Sequence, residues 1–269
     1  MNWKKHVDLV IFDWTGTMVD FGCEAPVRAL LELFAAEGVS IDEAMARRDM
    51  GKPTHEHVQA ILADPAVAAA WHERHGQVPG LKDFDALMAR FQPLMRRQAA
   101  LAATLIPGAL QTFELLRAAG TRVGSSSGYT REMLEPVLAA AAAQGYTPEH
   151  VVCSGETPMG RPSPLMIYKA CAELGVWPLS RVVKVDDGEA GIAEGKAAGA
   201  FTVGVASGNA LGLSRAALEA LPPPERQLRI DGARQKLLAA GADLAIASVA
   251  DLLPALGGGA AQLAAMQVP

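Results

Sequence analysis

Side chains able to do acid, base or nucleophilic chemistry recur just after short apolar runs in this 269-residue sequence. Asp13 closes "LVIF" (9–12). Ser125, Ser126 and Ser127, with Gly128, close the run that begins "TRVG" at 121. Arg161 stands in "MGRPSP", beyond "HVVCS" (150–154), and Asp186 and Asp187 close "VVKV" (182–185). A carboxylate, a hydroxyl, a cation and an acidic pair are the parts needed to transfer a phosphoryl group to an aspartate beside a divalent cation. An anionic nucleophile is repelled by an anionic phosphorus centre, so Mg²⁺ held between Asp13 and the Asp186/Asp187 pair lowers that repulsion, and hard oxygen ligands suit this ion. Arg161 supplies fixed positive charge to the non-bridging oxygens and to Asp13. A serine hydroxyl and the backbone N–H groups of "SSSGYT", read as a turn leading into a helix N-terminus, hold the phosphoryl oxygens. Gly16 lets the chain turn back toward the same oxygens.

These residues converge only if the runs are neighbouring strands of one sheet. The runs 9–12, 121–126, 150–154, 182–185 and "FTVGV" (201–205) are short, apolar and rich in β-branched residues, as expected of buried strands. Helical patterns lie between them at 108–120, 130–145, 163–175 and 189–199, several ending in glycine. Such alternation predicts an α/β fold: a Rossmann-like parallel sheet flanked by helices, with the post-strand residues gathered at one edge. From Glu24 to about Ala100 only helical patterns occur, among them "PVRALLELFAAEG" and "FDALMARFQPLMRRQAALAA". This predicts a helical domain over 23–100, inserted after the first strand into a core of 1–22 and 101–269. In the tail, "LPPPERQL" reads as a Pro-rich loop followed by a helix, "ADLAIAS" as a short strand and "VADLLPAL" as a closing helix. The last residues, from Gly257, read as loosely ordered.

Composition narrows the partners. Half of the residues are hydrophobic, enough for a substantial core, and a net charge of -5 without a Lys/Arg block offers no footprint for nucleic acid or an anionic membrane. The apolar stretch near the amino terminus is broken by Asp8 and Asp13, too short for a secretion signal or a membrane span, which predicts a cytoplasmic protein. Cys23, Cys153 and Cys171 have no metal-ligand spacing, so neither a disulfide framework nor a zinc site is expected.

With the parts in this order, the sequence resembles the haloacid dehalogenase superfamily of aspartate-nucleophile phosphotransferases. "DWTGT" is similar to its DxxGT motif, "SSSG" to its second motif, Arg161 to its third-motif cation and "VDDG" to its acidic fourth motif. Within the superfamily, "FDWTGTMVDFGCEAP", Met50-Gly51 followed by His57, "GSSSGYTREM" and "GRPSPLMIYKACAELGV" resemble the phosphonoacetaldehyde hydrolase family, whose members cleave a carbon–phosphorus bond. The resemblance implies a homodimer with Mg²⁺, a helical cap, and a small phosphonate as substrate. It implies catalytic roles for Asp13, Thr15, Arg161, His57 and Thr54. Substrate contacts fall to Ser127, Gly128, Gly51, Met50 and Tyr129, and metal ligation to Asp13, Thr15, Asp187 and Asp186. Ser125 is the alternative phosphate-binding hydroxyl. Cys23 and Met50 match cap-interface positions that packing alone also explains, and Trp14 either lines the pocket or packs on the sheet.

Three positions depart from the family pattern. Four residues after the methionine of "MG", where the family carries a Schiff-base lysine, stands Thr54. Lys52 is nearby but two residues along, on the wrong face of a helix, and is either a substitute amine or a solvated lysine. Without an imine, the carbonyl would be polarised by hydrogen bonds from His57, Thr54 or His55. Two residues after the nucleophile, phosphatases of the superfamily carry an acid; Thr15 is a poor general acid, which disfavours ordinary esters. Four residues after the metal aspartate, where the family usually has a second acid, stands Gly191, and Asp186 or Glu189 could supply a replacement. The readings that compete with a phosphonate hydrolase are a phosphatase for a small phosphate ester or an activated phosphate, and a non-catalytic binding protein.

Overall fold

Strands that are apolar on both faces need helices on both sides of a sheet. The computed structural model, which describes residues 2–50 and 54–258, shows such a sheet. Its strands are β1 (Leu9–Phe12), β2 (Arg122–Thr130), β3 (His150–Ser154), β4 (Val182–Asp186), β5 (Phe201–Val205) and β6 (Leu244–Ile246). They lie in the order β3-β2-β1-β4-β5-β6 and every pairing is parallel. The helices are α1 (Glu24–Ala35), α2 (Glu43–Arg48), α3 (Thr54–Leu62), α4 (Pro65–His75) and α5 (Leu81–Leu101), then α6 (Ala109–Ala118), α7 (Arg131–Ala143), α8 (Leu165–Leu174), α9 (Glu189–Ala198), α10 (Arg215–Ala220), α11 (Pro223–Ala239) and α12 (Leu252–Gly258). The chain divides into two compact units: residues up to Cys23 together with those from Ala103 onward, and Glu24–Ala102.

In the first unit the chain winds outward from β1 through β2 to β3, then returns and winds the other way through β4, β5 and β6. The direction of winding reverses between β1 and β4, and ligands of open α/β sheets bind at such a switch point, beyond the carboxyl ends of the strands. Every residue of β1, β4 and β5 is buried. Leu9 and Ile11 pack with Met166, Ile167 and Ala170 of α8. Phe12 pairs with Ser125 on one side and Val185 on the other, and the Asp13 N–H donates to the Val185 carbonyl at 2.9 Å. That last bond extends the ladder one residue past β1 and sets Asp13 beside the end of β4.

The helix α9 meets β4 and β5 along Gly191, Glu194, Gly195 and Ala198, a buried stripe at helical spacing. A Cβ on Gly195 would lie 2.6 Å from Thr202 Oγ1 and 2.9 Å from Lys184 Cγ, so this glycine lets the helix approach the sheet.

The second unit is helical throughout its described residues. The stripe Leu87, Phe91, Met95 and Ala99 of α5 repeats every four residues, and α5 packs with α1, whose buried face includes Leu30, Leu33 and Phe34. Ion pairs from Arg90 to Glu37 and from Arg97 to Glu32 tie α5 to α1 and the residues just after it. Asp64 caps α4, accepting from the Ala66 N–H at 3.0 Å and from Arg48 at 2.8 Å.

Two expectations are corrected. The "LPPPERQL" stretch is not a loop: α11 starts at Pro223, and proline is tolerated in a first helical turn because its missing N–H would have no intrahelical partner there. The serines do not form a turn beyond a strand ending at 126: β2 runs on to Thr130, with a register shift between Ser127 and Thr130 that takes Gly128 and Tyr129 out of the ladder with β3. Thr130 then caps α7, its hydroxyl accepting from the Met133 N–H at 3.4 Å. Gly51, Lys52 and residues 259–269, which hold much of the tail read as loosely ordered, lie outside the described residues. No helix among the described residues is long and apolar enough to cross a membrane.

Gly195→Ala should destabilise the protein by about 1–3 kcal/mol, the usual cost of overpacking a core. Urea unfolding of this variant against wild type measures it; an unchanged midpoint would show that α9 does not need this close approach.

Candidate active site

Asp13, Asp186 and Asp187 are buried at the carboxyl ends of β1 and β4, and one carboxylate oxygen from each lies within 4.8 Å of the others. The opening segment reaches them by a tight turn in which the Trp14 carbonyl accepts from the Met18 N–H at 2.9 Å and the Gly16 N–H donates to the Val19 carbonyl at 2.7 Å. Gly16 has φ +80°, and a Cβ there would lie 2.4 Å from Asp187 Oδ2. Glycine is therefore needed twice over, for its left-handed backbone and for the room it leaves. Asp187 also accepts from the Asn209 N–H at 2.6 Å, from Cys23 Sγ at 3.3 Å and from Thr17 Oγ1 at 3.4 Å. Half-buried Thr15 lies in the same turn.

Arg161 joins the strand ends. Its Nη2 donates to Asp13 Oδ1 at 2.8 Å and to the Ser126 carbonyl at 2.8 Å, and lies 3.3 Å from Asp186 Oδ2, while its Nε donates to Glu194 Oε2 at 3.0 Å. Fully buried Lys184 lies 3.0 Å from Asp186 and 3.4 Å from Glu194, and donates to Ser126 Oγ at 2.8 Å. Asp186 also accepts from the Gly188 N–H at 3.0 Å. A Cβ on Gly191 would sit only 1.9 Å from Asp186 Oδ2. The Asp186 carboxylate thus occupies the room that a side chain at 191 would fill, whereas Glu189 is exposed at the start of α9.

The charges do not cancel. Asp13, Asp186, Asp187 and Glu194 are four carboxylates against the two cations Arg161 and Lys184. Asp186 and Glu194 each contact both cations and Asp13 shares Arg161 with them, so most of the uncompensated charge falls on Asp187. The acidities reflect this. Burial, reinforced by Asp186, raises Asp13 to about 6 against the pull of Arg161 and Lys184. Burial and then the charges of Asp13 and Asp186 raise Asp187 to about 8. Asp186, although burial pushes it upward, is held below its ordinary value by Arg161 and Lys184. A divalent cation fits this donor set in charge and in hard oxygen chemistry.

The other expected residues divide between the units. On β2, buried Ser127 accepts from the Tyr129 N–H at 3.1 Å, whereas Ser125 Oγ is buried without a hydrogen-bond partner among the described residues. Gly128 is exposed beside them. The Tyr129 hydroxyl is kept protonated by burial and by the charge of Asp20. Trp14 is buried with its ring edge-on to Tyr146 at 5.1 Å, so it packs in the core. In the helical unit, Met50 is half-buried, Thr54 is exposed at the first position of α3, and His57 is buried one turn along. Gly51 is not among the described residues.

Sequence reasoning missed Lys184 and Glu194, the contacts Ser126 makes with them, and the contacts of Thr17 and Cys23 with Asp187. Signals existed for two of them. A lysine in the middle of "VVKV" cannot stay buried without a carboxylate, and Glu194 falls on the glycine- and alanine-rich stripe that α9 turns to the sheet. Nothing in the spacing marks Cys23, whose φ of +51° is set by the turn it closes.

The sequence profile of the haloacid dehalogenase-like hydrolases matches residues 7–199. The chain is 47% identical over 251 residues to phosphonoacetaldehyde hydrolase of Paraburkholderia phytofirmans, covering 93% of this chain and 94% of that one. It is 37% identical over 247 residues to phosphonoacetaldehyde hydrolase of Bacillus anthracis, covering 91% and 94%. The crystal structure of a phosphonoacetaldehyde hydrolase-like protein from Oleispira antarctica superimposes with a TM-score of 0.86 at 41% identity, over 98% of this chain and 96% of that one.

A carboxyl group whose folded-state pKa is raised binds protons more tightly in the folded than in the unfolded chain. Its contribution to stability is complete below the ordinary value of 3.8 and is lost as pH rises through about 6 for Asp13 and about 8 for Asp187. Metal-free protein should therefore gain more melting temperature from MgCl2 at pH 8 than at pH 5. Asp187→Asn should raise the metal-free melting temperature at pH 8 and abolish most of the Mg²⁺ increment. Scanning fluorimetry reads both, and an equal increment in wild type and variant would contradict the charge assignment.

Proposed function

The chain belongs to the haloacid dehalogenase-like hydrolases, and on that premise we propose that it cleaves the carbon–phosphorus bond of a small carbonyl-bearing phosphonate, phosphonoacetaldehyde or a related oxo-phosphonate. The observation that carries the reading is Asp13: a buried carboxylate at the sheet's switch point, aimed by Arg161 at 2.8 Å and flanked by Asp187, in a chain similar along most of its length to phosphonoacetaldehyde hydrolases. Sequence similarity to phosphonoacetaldehyde hydrolases supports the substrate class, and Thr15 in place of an acid supports a leaving group other than an alkoxide.

In the proposed reaction, an Asp13 oxygen attacks phosphorus and the carbon–phosphorus bonding pair passes into the substrate's carbonyl as an enolate. The enolate takes up a proton to give the aldehyde or ketone, and water then hydrolyses the aspartyl phosphate to phosphate and free Asp13. Arg161 balances charge on the non-bridging oxygens, and Ser127 with the backbone at Gly128 and Tyr129 is assigned to the same group. Mg²⁺ held by Asp13, Thr15 and Asp187, with Asp186 behind them, would offset the charge between nucleophile and phosphonate. Met50, Gly51, Thr54 and His57 are assigned to the organic end of the substrate on the family resemblance alone. The cap role of their unit and a cytoplasmic homodimer rest on the same ground. With Thr54 at the lysine position, the electron sink is a hydrogen-bonded carbonyl rather than an imine. That substitution also favours a second reading, a phosphatase for a small phosphate ester.

Phosphate release from phosphonoacetaldehyde, longer oxo-phosphonates and a panel of phosphate esters, with and without Mg²⁺, separates the readings. Asp13→Ala should reduce release by at least about 10⁴-fold, as loss of a nucleophile does. Borohydride with substrate should leave wild-type protein unlabelled. Ester-only turnover, or covalent capture at Lys52, would contradict the proposal.

A further inference from the structure

Lys184 and Glu194 are fully buried, lie 3.4 Å apart and have no task in the reaction above. We propose that they are positioning residues that fix the guanidinium plane of Arg161 against Asp13. The inference rests on the reading of Asp13 and Arg161 as nucleophile and phosphoryl-facing cation.

A guanidinium is planar and presents donors along fixed directions, so holding it at two separated nitrogens sets its orientation. Glu194 Oε2 takes Nε at 3.0 Å, while Nη2 is shared between Asp13 Oδ1 and the Ser126 carbonyl, each at 2.8 Å. Glu194 is itself held. The Ser126 hydroxyl donates to the same Oε2 at 3.1 Å, and Lys184 Nζ lies 3.4 Å away. Lys184 in turn donates to Ser126 Oγ at 2.8 Å and pairs with Asp186 at 3.0 Å. Two cations and two carboxylates thus close on each other around one serine hydroxyl, with one edge of Arg161 left for Asp13.

Such a group is a poor device for stability alone, because apolar residues of similar volume commonly do as well or better than buried ion pairs. The chain nevertheless provides for it at two independent places: a lysine inside the apolar strand β4, and a glutamate on the sheet-facing stripe of α9. Both serve the orientation of a third residue, Arg161, that comes from the segment after β3. Lysine at 161 could not be held this way, since an ammonium has no second edge.

Arg161→Ala leaves the acceptors of Asp13, the Ser126 carbonyl and Glu194 facing a guanidinium-sized space. Guanidinium chloride at low millimolar concentration should bind this variant saturably, read by scanning fluorimetry. Adding Glu194→Gln should weaken that affinity by about tenfold or more, the effect expected for loss of one charged hydrogen-bond partner. In the Arg161 background, Glu194→Gln should lower kcat while leaving KM nearly unchanged. If Glu194→Gln does not fold, Lys184→Met/Glu194→Gln, which removes one charge of each sign, is compared instead. Equal guanidinium affinity in the two backgrounds, or a wild-type kcat in the Glu194 variant, would overturn the proposal. Guanidinium binding needs no turnover, so it decides this point even if wild type proves inactive on phosphonates.

Discussion

A buried surplus of negative charge at the point where β1 and β4 separate is the constraint on which the rest of the site depends. Burying one carboxylate in a sheet interior is costly unless it is paired, and this site gathers several around two cations. The pairing is uneven. Asp186 and Glu194 are bound by both Arg161 and Lys184, Asp13 has only a share of Arg161, and Asp187 lies outside these pairs, so the protein does not fully balance the charge of the last two. Unbalanced charge held at one spot in rigid surroundings fits a divalent cation better than a permanent internal partner.

The backbone supplies the rigidity. The Asp13 N–H is bonded to Val185, so Asp13 and the acidic pair share one stretch of ladder, and Asp187 lies against the Gly16 turn with an oxygen on the Asn209 N–H. Arg161 reaches the same place from the segment after β3 and is met there by Asp13, Ser126 and Glu194. Four strand ends therefore act on one small volume, and preorganised charge of this kind is the largest single source of rate in many enzymes.

Much of this was legible in the residues. Asp13, Arg161 and Asp187 stand where an α/β alternation delivers post-strand residues, and "VIFDWTGT" carries both the strand and the glycine that lets it turn. Asp186 and Gly191 were legible only as a pair of departures. Their relation, one carboxylate standing in the room beside the other's missing side chain, is a matter of space across a helix and a strand end. Lys184 and Glu194 were hidden because a run such as "VVKV" reads as a strand whatever its lysine does, and "EAGIAEGKAAG" reads as a helix with charges assumed to face water. The Pro-rich stretch before α11 misled for a local reason: prolines disrupt a helix interior but not its first turn. Packing partners from distant parts of the chain decide these cases, and local pattern does not encode them.

The central claim, that Asp13 and Asp187 hold charge kept partly neutral by protons until a divalent cation arrives, is tested most directly by the protons themselves. Calorimetric titration of Mg²⁺ in buffers of different ionisation enthalpy counts the protons released on binding. With Asp187 raised to about 8, binding at pH 7 should release close to one proton per ion, and the number should fall toward zero by pH 9. Tight binding with no proton release at pH 7 would contradict the account.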